Sequence, residues 1–109
     1  MALAEGSYSL TKRFPKDEVY GMTSQIRRAS ASIAANIAEG HGRENSGAFV
    51  QFLRMSQGSL KELETHLILA VRVGITKAEE VTALLSRCDE LGKMLRSLIR
   101  SIQRRQNDA

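Results

Sequence analysis

Apolar residues recur along this chain with the spacing of packed helices. From Phe49 to Ala70 the series Phe49, Leu53, Ser56, Leu60, Leu63, Leu67, Ala70 steps alternately by four and three. From Val81 to Ile102 the series Val81, Leu84, Cys88, Leu91, Leu95, Leu98, Ile102 does the same, beginning with three. Both are heptad seams, which put one side chain per turn on a single face. A third stretch, Pro15 to Glu39, carries a smaller apolar face of Val19, Met22, Ile26, Ala29, Ile33 and Ile37 amid alanines and serines.

The breaks lie between these series. Proline fixes φ and lacks a donor, so Phe14-Pro15 suits a helix start, with Asp17 and Glu18 near the positive end of the dipole. Gly40-His41-Gly42-Arg43 reads as a turn, Gly74 as a helix C-cap, and Thr76 with Glu79 as a capping box. The pattern predicts one domain over residues 1–109, with helices at about 2–12, 15–39, 46–73 and 77–104. Short connections make successive helices antiparallel. The expected fold is therefore all-α, an antiparallel up-down four-helix bundle with a short first helix. In that first helix Leu3, Tyr8 and Leu10 can face a core, while Gly6-Ser7 interrupts the pattern.

Composition agrees with this picture. Five aromatics among 109 residues, and a single proline, are thin for a β-sandwich. Cys88 is the only cysteine, so no disulfide within the chain is open to it. No apolar run is long enough to span a bilayer, and the N-terminus lacks the pattern of a signal peptide. A cytoplasmic protein is the expectation.

Charge changes the picture more. The net charge is +4, and residues 1–92 carry eleven basic and eleven acidic side chains. The excess therefore sits after residue 92, on Lys93, Arg96, Arg100, Arg104 and Arg105 against Asp108. Lys93, Arg96, Arg100 and Arg104 step by three, four and four and so share a helical face. Such a row can track phosphates, with affinity that falls steeply with salt. The competing reading is that cations suit a helix C-terminus and keep it soluble. No aromatics are interleaved among them, which argues against single-strand stacking and for backbone contact.

A second candidate is polar. Arg28, Ser32, Asn36 and Glu39 share a face of the second helix. They form either a cluster buried between helices or protomers, with Gly58, Ser59, Glu62 or Glu64 as partners, or a solvated face. The turn Gly40-His41-Gly42-Arg43 matches no phosphate-binding loop. His41, His66 and Cys88 lack metal-ligand spacing, and Glu62 and Glu64 point in different directions. No catalytic residue, metal site or cofactor site is expected.

Three stretches carry a family resemblance: FPKDEVYG (Phe14–Gly21), QIRRASASIAANIAEGHGR (Gln25–Arg43) and FLRMSQGSLKELETHL (Phe52–Leu67). Together they resemble the four-helix bundle proteins encoded in intervening sequences of bacterial 23S rRNA genes, which are related to accessory proteins of diversity-generating retroelements. The resemblance covers about residues 8–103. It implies a four-helix protomer, a ring-like homo-oligomer (a pentamer in relatives) and nucleic-acid binding without catalysis. The family's first helix is usually longer than the one here. The sequence thus points to a non-enzymatic homo-oligomer that binds RNA or DNA backbone. The alternative is a scaffold whose uncovered groove docks a partner protein or helix.

Overall fold

The computed structural model describes residues 2–108, with the side chains of Val19, Tyr20 and Asp108 outside that description. The apolar position expected at Val19 is thereby outside the described residues. The α-helices are α1 (Ala2–Thr11), α2 (Ser24–His41), α3 (Ser46–Arg72) and α4 (Ala78–Asp108), and no strand occurs among the described residues.

Local chemistry sets the ends of α3. Asn45 adopts an extended backbone, and its side-chain oxygen accepts the Ala48 N–H at 3.0 Å, satisfying one of the donors a helix start leaves free. At the other end Gly74 has φ of 83°, the left-handed region that glycine enters without a Cβ penalty. Its N–H donates to the Val71 carbonyl, and the Ile75 N–H donates to that of Ala70 at 2.9 Å. These are the two bonds of a Schellman cap. The following helix opens later than the expected box. The Thr76 N–H is already used on the Ala70 carbonyl, and the Thr76 hydroxyl donates to Glu80, not Glu79. Helix α4 therefore begins at Ala78.

The segment after Pro15 also differs from expectation. It forms a 3-10 turn (Lys16–Glu18) and a π-helical turn (Val19–Thr23) before the α-helix starts at Ser24. Gly21, with φ −103° and ψ −111°, is outside the helical region and kinks the chain there. Without a Cβ it resists this departure least. At its far end α2 runs on to His41, so Gly40 is helical and not part of the turn. A Cβ there would stand 2.8 Å from Phe52 Cβ and 3.0 Å from Phe49 Cδ1. Glycine at 40 lets α2 and α3 touch.

Packing follows the small and apolar faces. Ile26, Ala29 and Ile33 of α2 meet Leu53, Leu60, Leu63, Leu67 and Ala70 of α3 and Val81, Leu84, Cys88 and Leu95 of α4 in one core. Residue pairs run in opposite senses across α2–α3 and across α3–α4. Ser32 meets Ser59 and Gly40 meets Phe52 across α2–α3. Across α3–α4, Gly47 lies near Gln106 and Leu60 near Gly92. On α1, Thr11 reaches Arg27 of α2 and Gly6 packs on Leu84 of α4. A Cβ at Gly6 would be 2.6 Å from the Leu84 side chain, so this glycine marks a close helix approach and does not interrupt α1.

Of the expected core positions, Leu3, Met22, Ile37 and Leu91 are half-buried at the edge of the core, and Tyr8, Phe49 and Leu98 depart further. Tyr8 is exposed, with the Arg27 guanidinium 4.7 Å from its ring centre. Phe49 is half-buried and Val50 takes the core position. On α4, Leu98 is 38% exposed while Ile99 is 3% exposed. On α4 the covered flank is the one facing α3, with Gly92 and Ile99 buried, and not the one with Leu91 and Leu98. The molecule is a rod of 52 × 22 × 18 Å, set by the roughly 46 Å of α4.

Candidate nucleic-acid interface

Helix α4 buries Val81, Leu84, Cys88, Leu95, Ile99 and Ile102 along one line. At about 100° per residue, Arg96 and Arg100 fall about 90–130° from that line, toward α3, while Lys93 and Arg104 lie about 150–170° from it, on the outward face. All four are exposed. Arg105 is also exposed but points to the opposite flank, where its Nη2 donates to Ser101 Oγ at 3.5 Å. The structure thus groups four of the five cations and sets Arg105 apart. Lys93 pairs with Asp89 at 3.3 Å. The Arg96 guanidinium folds over Gly92, 3.5 Å from where a Cβ would stand.

The α3–α4 seam adds side chains that the linear pattern did not single out. A shallow cavity of about 300 Å³ lies there, with Arg96 and Asp89 on one side and Gln57, Lys61 and Glu64 on the other. Lys61 lies 4.0 Å from Glu64. Arg54, seven residues before Lys61, is exposed on the same face of α3. The signal in the sequence was that spacing of seven, but only the α3–α4 register puts it beside the row on α4. Arg54, Arg96 and Arg100 have no carboxylate within 4 Å among the described side chains. At the floor of the cavity Cys88 is fully buried, and that burial, with Glu64 adding, pushes its thiol up to about 12. A thiol held protonated is a packing group and no nucleophile.

The polar stripe lies on the outer lip of the α2–α3 contact. Ser32 and Asn36 are half-buried, Arg28 and Glu39 are exposed, so the cluster is not buried between helices of the protomer. The contact is made instead by Ala29, Ile33 and Gly40 on the adjacent face. Ser32 and Ser59 hydroxyls stand 2.9 Å apart, and Asn36 Nδ2 donates to the Ser32 carbonyl at 3.0 Å. Arg28 donates to Gln25 at 2.7 Å and Arg43 to Glu39 at 2.6 Å. Of the partners expected on α3, only Ser59 engages the stripe. Glu62 lies toward His66 and Glu64 toward Lys61. The α2–α3 corner holds His41 stacked on Phe49 and Arg43 over Phe52, so its polar groups are occupied locally.

A second concavity, of about 510 Å³, opens where α1 runs out. Leu3 of α1, Ile33 and Ile37 of α2, and Leu91 and Met94 of α4 line it, with His41, Arg87 and Glu90 among its polar residues. No three His, Cys, Asp or Glu side chains are grouped to hold a metal among the described residues, and no helix of the described residues is long and apolar enough to cross a membrane.

No curated protein matches the chain. Among solved structures, the fold is similar to that of a Bacteroides thetaiotaomicron protein of unknown function from the S23 ribosomal protein family. The two share a TM-score of 0.75 and 23% identity, over 89% of this chain and 97% of that one. The sequence pattern of the 23S rRNA-intervening sequence proteins matches residues 1–97. With four packed helices and a match over most of its length, the chain belongs to the 23S rRNA-intervening sequence protein family.

Proposed function

We propose that this protein is a non-enzymatic, cytoplasmic assembly module that binds the backbone of RNA or DNA through the row Lys93, Arg96, Arg100 and Arg104. The observation that carries the reading is that these four cations are all exposed and fall within about 80° of one another around α4. They extend over about 17 Å, the axial length of roughly five phosphates of one duplex strand. Contacts of this kind fix position without reading bases, so binding is largely independent of sequence.

Self-assembly belongs to the same proposal. The apolar concavity beside α1 and the exposed Met94 and Leu98 leave α4 with an uncovered flank. Burying such a flank against another copy removes apolar surface from water. A ring, with five copies as the resemblance implies, would repeat the basic row around the assembly. Light scattering with and without RNA tests both parts. The expected result is a mass several times that of one chain, rising further when RNA is added at low salt. A monomer mass at micromolar concentration would remove the assembly, and no RNA-dependent change would remove the binding.

The same concavity favours a second reading, a scaffold that docks a partner helix there. Capture of one defined protein that survives nuclease treatment, together with no affinity for RNA or DNA, would put the scaffold first.

A further inference from the structure

We infer that the phosphate-binding surface is two-sided, with Arg54 and Lys61 of α3 forming a second row beside α4, and that its ligand is double-stranded nucleic acid. The inference rests on the backbone-binding reading above and adds residues and a ligand class to it.

The register across α3–α4 carries the first half. Gly47 lies near Gln106, Leu60 near Gly92, and Lys61 shares the seam cavity with Arg96. Counting back from these pairs puts Arg54 level with residues 98 and 99, between Arg96 and Arg100. Helices in contact stand about 8–10 Å apart, so the two rows flank one shallow trough and do not merge into a single line. The acidic groups in the trough are already engaged, Asp89 by Lys93 at 3.3 Å and Glu64 by Lys61 at 4.0 Å. Arg54, Arg96 and Arg100 have no such partner among the described side chains. Cations without carboxylate partners on one face repel one another, and an anion with repeating charge relieves that repulsion.

The ligand class follows from what the trough lacks. Phe49 and Phe52 are turned toward α2, where His41 and Arg43 cover them. Tyr8 lies under Arg27, and Phe14 is buried. Among the described side chains none of these rings reaches the α3–α4 face, so none of them offers the bases of a single strand a platform there. Single-strand binders rely on such stacking for about 1–3 kcal/mol per base. A duplex keeps its bases stacked internally and presents only phosphates and sugars. Two straight, parallel rows on rigid helices match that ligand.

The test is an anisotropy titration of the intact protein over a salt series, with a short mixed-sequence duplex and with one of its strands alone. The wild-type protein is expected to bind the duplex at least about ten-fold more tightly, a difference of one stacking contact or less in energy. Replacing Arg54→Gln and Lys61→Gln together should flatten the duplex slope of log affinity against log salt by about 1.8, at about 0.9 per lost contact. Arg28→Gln, an exposed cation on the far lip of α2, should leave the slope unchanged. Both side chains of the double variant are exposed, and an unaltered melting temperature shows that it is folded. If the wild-type protein binds and the double variant keeps its slope, the second row is wrong and the backbone reading stands. Equal affinity for the single strand overturns the duplex assignment. Failure of the wild-type protein to bind either probe overturns both the inference and the reading beneath it.

Discussion

Cys88 sits at the floor of the α3–α4 seam, fully buried, with Glu64 nearby. Desolvation disfavours its thiolate and the Glu64 charge adds to that, so its pKa rises from an ordinary 9.0 to about 12. The sign of the linkage follows. Below pH 9 the thiol is protonated in both folded and unfolded chains. As pH rises from 9 toward 12 the unfolded chain loses this proton and the folded one keeps it, so stability falls across that window. Urea unfolding of wild type and Cys88→Ala as a function of pH measures this. The wild type should lose stability above pH 9 more steeply than the variant, and the native thiol should react with a disulfide reagent only as fast as the chain opens. A thiol that reacts rapidly in the folded protein would contradict its burial.

Elements test how much of the fold was legible in the sequence. The α3 seam could be read directly, because Leu53, Ser56, Leu60, Leu63, Leu67 and Ala70 are all buried where the alternation of four and three placed them. The α4 seam could be read at Val81, Leu84, Cys88, Leu95 and Ile102, but not at Leu91 and Leu98. Periodicity offers both the Leu91–Leu98 line and the Gly92–Ile99 line, and the choice depends on which flank α3 covers, which no local pattern contains. Gly40 failed for a similar reason. A glycine in a turn and a glycine at a helix contact look alike until Phe49 and Phe52 are placed against it. The basic row on α4 was legible from its spacing, but its neighbours Arg54 and Lys61 belong to another helix and needed the register. The seam assignment has a direct check in thermal or urea unfolding. Ile99→Ala should cost about 2–5 kcal/mol as a buried large-to-small change, and Leu98→Ala clearly less. This difference is expected of the dissociated protomer at high dilution, where equal losses would contradict the seam; in an assembly that buries Leu98 the two losses should converge.

The whole molecule is longer than its size requires. Its radius of gyration is 15.4 Å, against roughly 13 Å for a compact chain of this length. Helix α4 produces that shape, and the net positive charge of the chain lies on its last turns, after residue 92. In the reading proposed above, a rod with an apolar flank on one side of α4 and cations on the other would assemble through the first and meet phosphates with the second, so the two roles should be separable by substitution. The most direct measurement is the salt dependence of nucleic-acid affinity for wild type and for the Arg96→Gln, Arg100→Gln, Arg104→Gln triple variant. The triple variant should keep its helicity and its mass in solution, lose most of its affinity, and show a log–log slope flatter by about 2–3, at about 0.7–0.9 per phosphate contact. An unchanged slope would assign the row to solubility and helix-end electrostatics and contradict the nucleic-acid reading of this face.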